Sequence, residues 1–295
     1  MILLDGRKTS NDIKEEIAKE VQEMKENGER VPHLAAVLVG SDGASLTYVG
    51  SKVKACERVG FESTLIQLPH TVSEVELLET IHDLNDNDEI DGFIVQLPLP
   101  KQINAQKVLL AVDPEKDVDG FHPTNFGKMA LDMSTFIPAT PFGILTLLER
   151  FKVETKGKHT VVIGRSHIVG RPMSILMGRK GFPGNSTVTL THSYTKDIKA
   201  ITLQADIIVT ALGVPGFLTA DMVNEDVVII DVGITRVTDE TKAKGYYITG
   251  DVDFENVSKK ASYITPVPGG VGPMTIAMLL KNTLIARDRR SQSGK

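Results

Sequence analysis

The sequence has few of the features that mark secreted or membrane-spanning proteins. Its 295 residues include one cysteine, Cys56, and no tryptophan. A single cysteine excludes an internal disulfide and is typical of a reducing compartment. No apolar run approaches the roughly 20 residues that a membrane span needs. The amino-terminal segment contains Asp5 and lacks the apolar core of a signal peptide. We therefore expect a cytoplasmic protein with no membrane association.

The chain also lacks an excess of basic charge. Its formal net charge is -5, and its lysines and arginines are spread along the sequence. We therefore expect no nucleic-acid partner. No cluster of His, Cys and carboxylate residues has the spacing of metal ligands, so we expect no metal. The hydrophobic content of 41% is that of a globular protein, and the length is sufficient for two domains.

Apolar runs and helical periodicity alternate along the chain, which predicts an α/β fold with parallel sheets. In the first half the pattern predicts helices at 7–27, 43–59 and 73–86 and strands at 34–40, 61–68 and 91–96. In the second half it predicts a helix at 141–151, strands at 159–163, 186–191, 206–210, 227–231 and 262–265, a closing helix at 274–287, and a frayed tail from Arg289.

A glycine-rich turn follows the strand predicted at 159–163. It contains Gly164, Ser166 and Gly170, so Ser166 occupies the middle position of the usual G-x-G-x-x-G fingerprint. A strand before the turn and a helix after it are the context in which backbone N–H groups meet a dinucleotide pyrophosphate. The alternative is an ordinary turn between a strand and a helix with no ligand. We favour the dinucleotide.

The residues after the next strand indicate which dinucleotide binds. NAD-binding folds place an acidic residue near the end of the second strand, but here no Asp or Glu occurs before Asp197. His192 and Ser193, with Arg165, are donors that could hold a 2′-phosphate. The sequence therefore predicts NADP as the cofactor, the alternative for His192 and Ser193 being a plain polar turn.

Two further groups of residues indicate a second ligand. The stretch 265–275 is rich in glycine and proline, which is typical of a shaped, backbone-lined surface. Tyr48 and Lys52 lie four positions apart and share one helical face. Lys52 and Gln96 are expected at the carboxyl edge of the first sheet, where such folds bind ligands, and Gln96 could help to hold the lysine amine neutral for general base chemistry. The alternatives are a solvated surface lysine and, for Asp119 on the following loop, a turn aspartate.

At this point the motifs resemble a known family, the bifunctional methylenetetrahydrofolate dehydrogenase/methenyltetrahydrofolate cyclohydrolases of the FolD type. The resemblance covers nearly the whole chain, from Asp5-Gly6 to the last helix. Its motifs are Tyr48-Val49-x-x-Lys52, Gln96-Leu97-Pro98-Leu99-Pro100, Lys116-Asp117-Val118-Asp119-Gly120, Pro138-x-Thr140-Pro141-x-Gly143, Gly164-Arg165-Ser166-x-Ile168-Val169-Gly170 and Pro266-Val267-Pro268-Gly269-Gly270-Val271-Gly272-Pro273-Met274-Thr275.

The resemblance implies a role for each candidate residue. Lys52 would be the catalytic lysine and Gln96 its partner, Tyr48 a wall against the aromatic rings of the folate, and Asp119 the anchor of the pterin. Pro268, Gly269 and Val271 would line the folate and nicotinamide side of the cleft. The cofactor contacts would be Gly164, Arg165, Ser166, Ile168, Val169, Gly170, His192, Ser193, Ala211, Gly213, Gly233 and Ile234.

The resemblance also implies the architecture and the reaction. We expect two doubly wound α/β domains with a cleft between them: residues 1–141 plus 273–295 for folate binding and catalysis, and residues 142–272 as a Rossmann-type NADP-binding domain. The expected substrates are tetrahydrofolate derivatives: 5,10-methylenetetrahydrofolate is oxidised with NADP and the product hydrolysed to 10-formyltetrahydrofolate. The family forms homodimers through the cofactor domain.

The sequence departs from the family pattern in two places. Ala139 stands where many relatives have Cys, and the segment 178–185 looks longer than usual and is expected to border the region that reads the 2′-phosphate. Two other functions stay open: a dehydrogenase without the cyclohydrolase step, which the Lys52 and Gln96 pair argues against, and a non-catalytic NADP sensor, which would need neither Lys52 nor the loop 266–273.

Overall fold

The computed structural model describes residues 1–242 and 245–293, which form two compact units. One unit comprises residues 1–10 and 140–275, and the other residues 11–139 and 276–295, of which 294 and 295 are outside the described part. The predicted two-domain α/β fold is confirmed. The predicted boundary differs at the amino terminus, because residues 1–10 group with the unit that contains 140–275.

The strands and helices alternate along the chain. The strands are β1 (Ile2–Leu3), β2 (His33–Val39), β3 (Glu62–Leu68), β4 (Gly92–Val95), β5 (His159–Ile163), β6 (Thr187–Thr191), β7 (Ile207–Thr210), β8 (Val228–Asp231), β9 (Thr235–Thr238), β10 (Tyr246–Thr249) and β11 (Tyr263–Ile264). The helices are α1 (Gly6–Glu26), α2 (Gly43–Val59), α3 (Glu74–Asp86), α4 (Ala105–Ala111), α5 (Pro123–Ala130), α6 (Ala139–Arg150), α7 (Gly170–Gly178), α8 (Ile198–Thr202), α9 (Phe254–Val257) and α10 (Val271–Ser293).

The unit of residues 11–139 and 276–293, which we call the lysine unit, is built on a three-stranded parallel sheet. Its strand order is β3-β2-β4, so β2 lies in the middle. The sequence of β2, His-Leu-Ala-Ala-Val-Leu-Val, is almost wholly buried, as expected for a strand covered on both faces. One face packs in a core with α3 and α4, through residues such as Val37, Phe93 and Ile81. The carboxyl ends of β2 and β4 therefore have a rigid support.

The unit of residues 1–10 and 140–275, which we call the glycine-loop unit, contains a six-stranded sheet with the order β1-β11-β8-β7-β5-β6. All of its neighbouring strands are parallel. β1 is the reason that the amino terminus belongs to this unit, because Ile2 pairs with Tyr263 and Leu3 with Ile264. Parallel strands carry their functional loops at their carboxyl ends, so this sheet places the loops that follow β5, β6, β7 and β8 along one edge.

The structure also differs from the prediction after β8 and at the carboxyl-terminal tail. An antiparallel hairpin, β9 with β10, follows β8 and was not predicted. The tail that was expected to fray from Arg289 continues α10 as far as Ser293. It is held because the guanidinium of Arg289 lies 4.5 Å from the centroid of the Phe136 ring and Nη1 of Arg290 donates to the Ile90 carbonyl at 2.6 Å.

Candidate active site

In the lysine unit, α2 places Lys52 and Tyr48 against each other. The helix begins after Asp42, whose carboxylate accepts the backbone N–H of Ser45, and ends at Gly60, which has a φ of 81°. Nζ of Lys52 lies 4.6 Å from the centroid of the Tyr48 ring, within the range of a cation–π contact. Lys52 is only 5% exposed, whereas Tyr48 keeps 37% of its surface open. The lysine is therefore buried behind the face of a tyrosine that a ligand can reach.

Gln96 reaches the same lysine from the end of β4. Its Nε2 donates to the Leu97 carbonyl at 2.7 Å, which leaves Oε1 as the acceptor for Nζ of Lys52 at 3.4 Å. The expected contact between lysine and glutamine is present. The main cause of the lowered lysine pKa is burial, and Asp119 opposes it. An amide oxygen carries no net charge, so Gln96 orients the amine more than it neutralises it.

Asp119 lies on the loop between α4 and α5 and interacts electrostatically with Tyr48 and Lys52 of α2. Burial raises the pKa of the Asp119 carboxyl, and Lys52 lowers it. Burial and the charge of Asp119 raise the pKa of Tyr48 to about 12, so its hydroxyl stays protonated at neutral pH. The structure thus brings together the four residues of the lysine unit that the sequence analysis selected.

The Asp119 loop is fixed by side chains that the sequence analysis did not select. The carboxylate of Asp117 accepts the backbone N–H of Phe121 at 3.2 Å and of His122 at 2.8 Å, and Nδ2 of Asn125 at 2.8 Å. On the other side, Nδ2 of Asn282 donates to the Val118 carbonyl at 2.8 Å and to the Ile137 carbonyl at 3.0 Å. Asn282 is 1% exposed. An asparagine on the otherwise apolar face of α10 is the sequence feature that could have indicated this contact.

In the glycine-loop unit, the turn after β5 needs glycine because two backbone segments approach closely. Gly164 has a φ of 113°, and a Cβ there would lie 2.5 Å from the Ala211 carbonyl oxygen. A Cβ on Gly170 would collide with the Gly164 carbonyl. Oγ of Ser166 accepts the backbone N–H of Val169 at 3.2 Å and of Gly170 at 3.3 Å, so it shapes the start of α7. Ile168 stands 47% exposed beside this turn. This cradle fits the pyrophosphate of a dinucleotide.

The loop after β6 comes close to Arg165. The guanidinium of Arg165 lies 5.8 Å from the centroid of the Tyr194 ring, and that ring lies edge-on to His192 at 6.3 Å. Nδ1 of His192 accepts the backbone N–H of Tyr194 at 3.2 Å, which leaves its Nε2 to donate. The carboxylate of Asp197 caps α8 by accepting the N–H of Ala200. The donors suit a 2′-phosphate, and no carboxylate of residues 192–195 competes with it.

The segment 178–185 lies away from these donors, which corrects the expectation that it borders them. It precedes the first residue of β6, whereas His192 and Ser193 follow the last. Oγ1 of Thr155 both accepts the Gly184 N–H at 2.9 Å and donates to the Gly184 carbonyl at 2.8 Å. The segment is therefore anchored at the opposite end of the strand.

The loops after β7 and β8 carry Ala211, Gly213, Gly233 and Ile234. Both loops rest on carboxylates that the sequence analysis missed. The buried Asp251 accepts backbone N–H groups of the first loop, and the buried Asp231 accepts the Gly233 N–H at 2.9 Å. Asp231 is the last residue of β8, and Asp251 comes two residues after the end of β10, so an acidic residue at the carboxyl end of a strand is the pattern that could have revealed them.

The proline- and glycine-rich loop groups with the glycine-loop unit, so the predicted substrate-binding residues fall in two units. Gly269 has a φ of 112°, and its carbonyl accepts the Arg7 N–H at 2.8 Å. A Cβ on Gly6 would collide with the Gly270 carbonyl. Val271 is 3% exposed, whereas Pro268 and Gly269 keep part of their surface open. The first residues of the chain therefore fix the shape of this loop.

Within residues 1–242 and 245–293, no helix is both long enough and apolar enough to cross a membrane. The same residues hold no group of three or more His, Cys, Asp or Glu side chains arranged for a metal ion.

Comparison with family models gives two matches that together span most of the chain. Residues 4–119 match the catalytic domain of tetrahydrofolate dehydrogenase/cyclohydrolase, and residues 138–291 match the NAD(P)-binding domain of the same family.

Individual proteins match over nearly their whole length. The bifunctional protein FolD of Flavobacterium psychrophilum is 80% identical over 290 residues, which are 98% of this chain and 99% of the relative. The crystal structure of the FolD methylenetetrahydrofolate dehydrogenase/cyclohydrolase of Campylobacter jejuni is 47% identical with a TM-score of 0.92, covering 98% of this chain and 99% of that one. The Trypanosoma brucei enzyme, crystallised with NADP and an inhibitor, is 37% identical with a TM-score of 0.93 and covers 99% and 98%.

Proposed function

Because the chain belongs to the tetrahydrofolate dehydrogenase/cyclohydrolase family, we propose that Tyr48, Lys52, Gln96 and Asp119 form its folate-binding catalytic group. The enzyme oxidises 5,10-methylenetetrahydrofolate with NADP and then hydrolyses the 5,10-methenyl product to 10-formyltetrahydrofolate. The observation that carries the proposal is the position of Nζ of Lys52, buried between the Tyr48 ring and Oε1 of Gln96.

Lys52 moves the protons of the hydrolytic step. Water adds to the cationic methenyl carbon and loses a proton, which leaves a neutral hydroxyl adduct. The bond from this carbon to N5 then breaks while the hydroxyl loses its proton to become the formyl carbonyl and N5 gains a proton, so that one proton in total is released to solvent. A neutral amine can take the first proton and return one to N5. Burial lowers the pKa of Lys52 and so raises the fraction of neutral amine at physiological pH. Gln96 holds the amine in place through its Oε1.

Tyr48 and Asp119 hold the substrate. The open face of the Tyr48 ring offers a planar apolar surface to the folate rings. The Asp119 carboxylate accepts hydrogen bonds from pterin N–H groups, and its burial strengthens them. We place Pro268, Gly269 and Val271 along the folate and nicotinamide side, where their backbone forms a shaped surface.

The cofactor is held by the glycine-loop unit. The turn of Gly164, Ser166, Ile168, Val169 and Gly170 receives the pyrophosphate. The 2′-phosphate is bound by Arg165, His192 and Ser193, and the loops with Ala211, Gly213, Gly233 and Ile234 receive the rest of the molecule. NADP supplies the acceptor for the hydride that leaves the methylene carbon.

One assay separates this function from its two rivals. Purified protein is given 5,10-methylenetetrahydrofolate and NADP, and the absorbances of NADPH and of the methenyl product are followed together. A bifunctional enzyme forms NADPH while the methenyl absorbance stays low. A dehydrogenase without the second activity accumulates the methenyl product, and a sensor binds NADP without forming NADPH.

We also propose that the enzyme is a homodimer in the cytoplasm. Support for the dimer comes from β6, which lies at the edge of the sheet formed by the described strands and can pair with a second copy. Support for the location comes from Cys56, a buried free thiol that a reducing compartment maintains. Light scattering that gives the mass of one chain at micromolar concentration would contradict the dimer.

A further inference from the structure

The glycine-loop unit contains two buried carboxylates to which the proposed function gives no role. Asp231 is the last residue of β8 and is 3% exposed; Asp251 follows β10 and is fully buried. The backbone N–H of Asp251 donates to Oδ1 of Asp231 at 3.0 Å, so the two form one group. Buried acids without a salt bridge are costly, and these two are satisfied by backbone instead.

Asp251 holds the loop that follows β7. Its Oδ2 accepts the N–H of Leu212 at 2.6 Å and of Gly213 at 3.1 Å, and its Oδ1 accepts the N–H of Val214 at 2.8 Å. Because the consecutive N–H groups of this loop already donate to Asp251, they are not available to bind a phosphate.

Asp231 holds the loop that follows β8. Its Oδ1 accepts the Gly233 N–H at 2.9 Å and the Thr210 hydroxyl at 3.2 Å. The backbone packs closely around the two carboxylates. A Cβ on Gly233 would collide with Oδ1 of Asp251, and a Cβ on Gly250 would collide with Oδ2 of Asp231. The geometry of both loops therefore depends on these two side chains.

The strand order shows which half of the cofactor these loops meet. The donors for the 2′-phosphate follow β5 and β6, and the sheet continues from there to β7 and β8. A dinucleotide lies across the carboxyl edge of such a sheet. The end remote from the 2′-phosphate, which is the nicotinamide, therefore lies over the loops that Asp251 and Asp231 hold.

We propose that Asp251 is a positioning residue of the cofactor site, which holds the loop 211–214 and, together with Asp231, raises the affinity of the site for oxidised NADP relative to NADPH. The oxidised nicotinamide ring is a cation and the reduced ring is neutral. Negative charge beneath the ring in a low-dielectric interior attracts only the oxidised form. The inference rests on the proposed function.

The test compares Asp251→Asn with Asp253→Asn. The first variant keeps the shape of the side chain but removes the charge and one acceptor. The second removes the same charge two residues away, where Oδ2 of Asp253 accepts Nδ2 of Asn256. NADPH binding is measured by its fluorescence, NADP binding by competition with NADPH, and cyclohydrolase activity with added methenyltetrahydrofolate and no cofactor.

For Asp251→Asn we expect the Kd for NADP to rise about tenfold and the Kd for NADPH to rise less than about threefold, as removal of one charge near a cation predicts. Asp253→Asn should leave both Kd values and the cyclohydrolase rate unchanged. Equal weakening of both cofactor forms in Asp251→Asn would overturn the proposal.

A milder variant keeps the proposal testable if Asp251→Asn does not fold. Thr210→Val removes one donor to Asp231 and leaves every charged residue in place. Since burial already raises the pKa of Asp231 to about 6, loss of a donor increases its protonated fraction near neutral pH. The ratio of the two Kd values should shift in the same direction by a smaller factor, and an unchanged ratio would contradict the proposal. Failure of the proposed function would instead appear as absence of NADPH formation by wild-type protein.

Discussion

Nδ2 of Asn282 donates to the carbonyl of Val118 at 2.8 Å, although 164 positions separate the two residues. The same amide donates to the Ile137 carbonyl, and Gly120 packs against that segment so closely that a Cβ would lie 2.7 Å from the Pro138 nitrogen. One buried side chain of α10 thus holds both the backbone next to Asp119 and the segment that leads into α6.

Replacement of Asn282 with alanine should disturb the substrate site. Two buried carbonyls lose their partner, so stability should fall by about 1–3 kcal/mol. The KM for methenyltetrahydrofolate should rise several-fold because Asp119 is less well placed. Thr283→Val is the matched control, since the Thr283 hydroxyl donates to the Leu279 carbonyl of the same helix. Equal KM values in the two variants would show that Asn282 does not position Asp119.

Lys52→Met should separate the two reactions. The variant keeps the apolar stem of the lysine and removes the amine. Loss of a general acid–base group typically costs about 10²–10⁴-fold in rate, so hydrolysis of added methenyltetrahydrofolate should fall by that order. Reduction of NADP should fall less, because it depends mainly on ligand placement. Each step is assayed separately after folate binding by the variant has been checked. A near-normal rate of hydrolysis would show that Lys52 is a structural residue and does not transfer protons.

Arg165→Gln should weaken the preference for NADP. A charge-assisted contact to a phosphate is worth about 1.5–3 kcal/mol, so the KM for NADP should rise about tenfold or more. NAD lacks the 2′-phosphate, so its KM should change little. Arg179→Gln is the control, because Arg179 lies at the other end of β6, where its carbonyl accepts the Asn185 N–H. A similar effect of both variants would argue for a general loss of positive charge.

Asp117 should make stability depend on pH. Burial raises its pKa in the folded protein to about 6, well above the value of about 3.9 in an unfolded chain. Between these values the folded state binds more protons, so the contribution of Asp117 to the free energy of unfolding is full below pH 4 and is lost as the pH rises through 6. The slope is at most about 1.4 kcal/mol per pH unit.

Asp117→Asn provides the reference for this measurement. The variant lacks the titrating group. The free energy of unfolding of wild type minus that of the variant should therefore fall as the pH rises from about 4.5 to about 7.5. Urea unfolding at each of about six pH values measures both free energies. A difference that stays constant over this range would show that Asp117 has an ordinary pKa.

Much of the fold could be predicted because its signals are local. The strands β5, β7 and β8 are short apolar runs, and each lies within one residue of its predicted bounds. The family predicted from the motifs is confirmed. The contact between Tyr48 and Lys52 also follows from local geometry, since residues four apart share one face of a helix. The roles assigned to the individual site residues stay predictions.

What could not be predicted depends on residues far apart in the chain. Asp251 sits beside the loop 211–214 only because β10 returns there, and Asn282 meets Val118 only because α10 does. β1 is too short to give a periodic pattern, and its place is set by pairing with β11. A charged residue such as Arg290 near the end of the sequence is typical of a frayed tail, but its hydrogen bonds to the Ile90 carbonyl and to Asp88 hold it in place.

The pairing of Ile2 with Tyr263 has a consequence for synthesis on the ribosome. The first strand emerges early, but its partner emerges only once translation has reached residue 263. The lysine unit has the same property, because residues 276–293 complete it. Neither unit can finish folding before its late segment has been translated, and an expression plasmid cut near residue 140 would encode two incomplete fragments. Co-expression of the two fragments, rather than either alone, is the way to recover native protein from such a split.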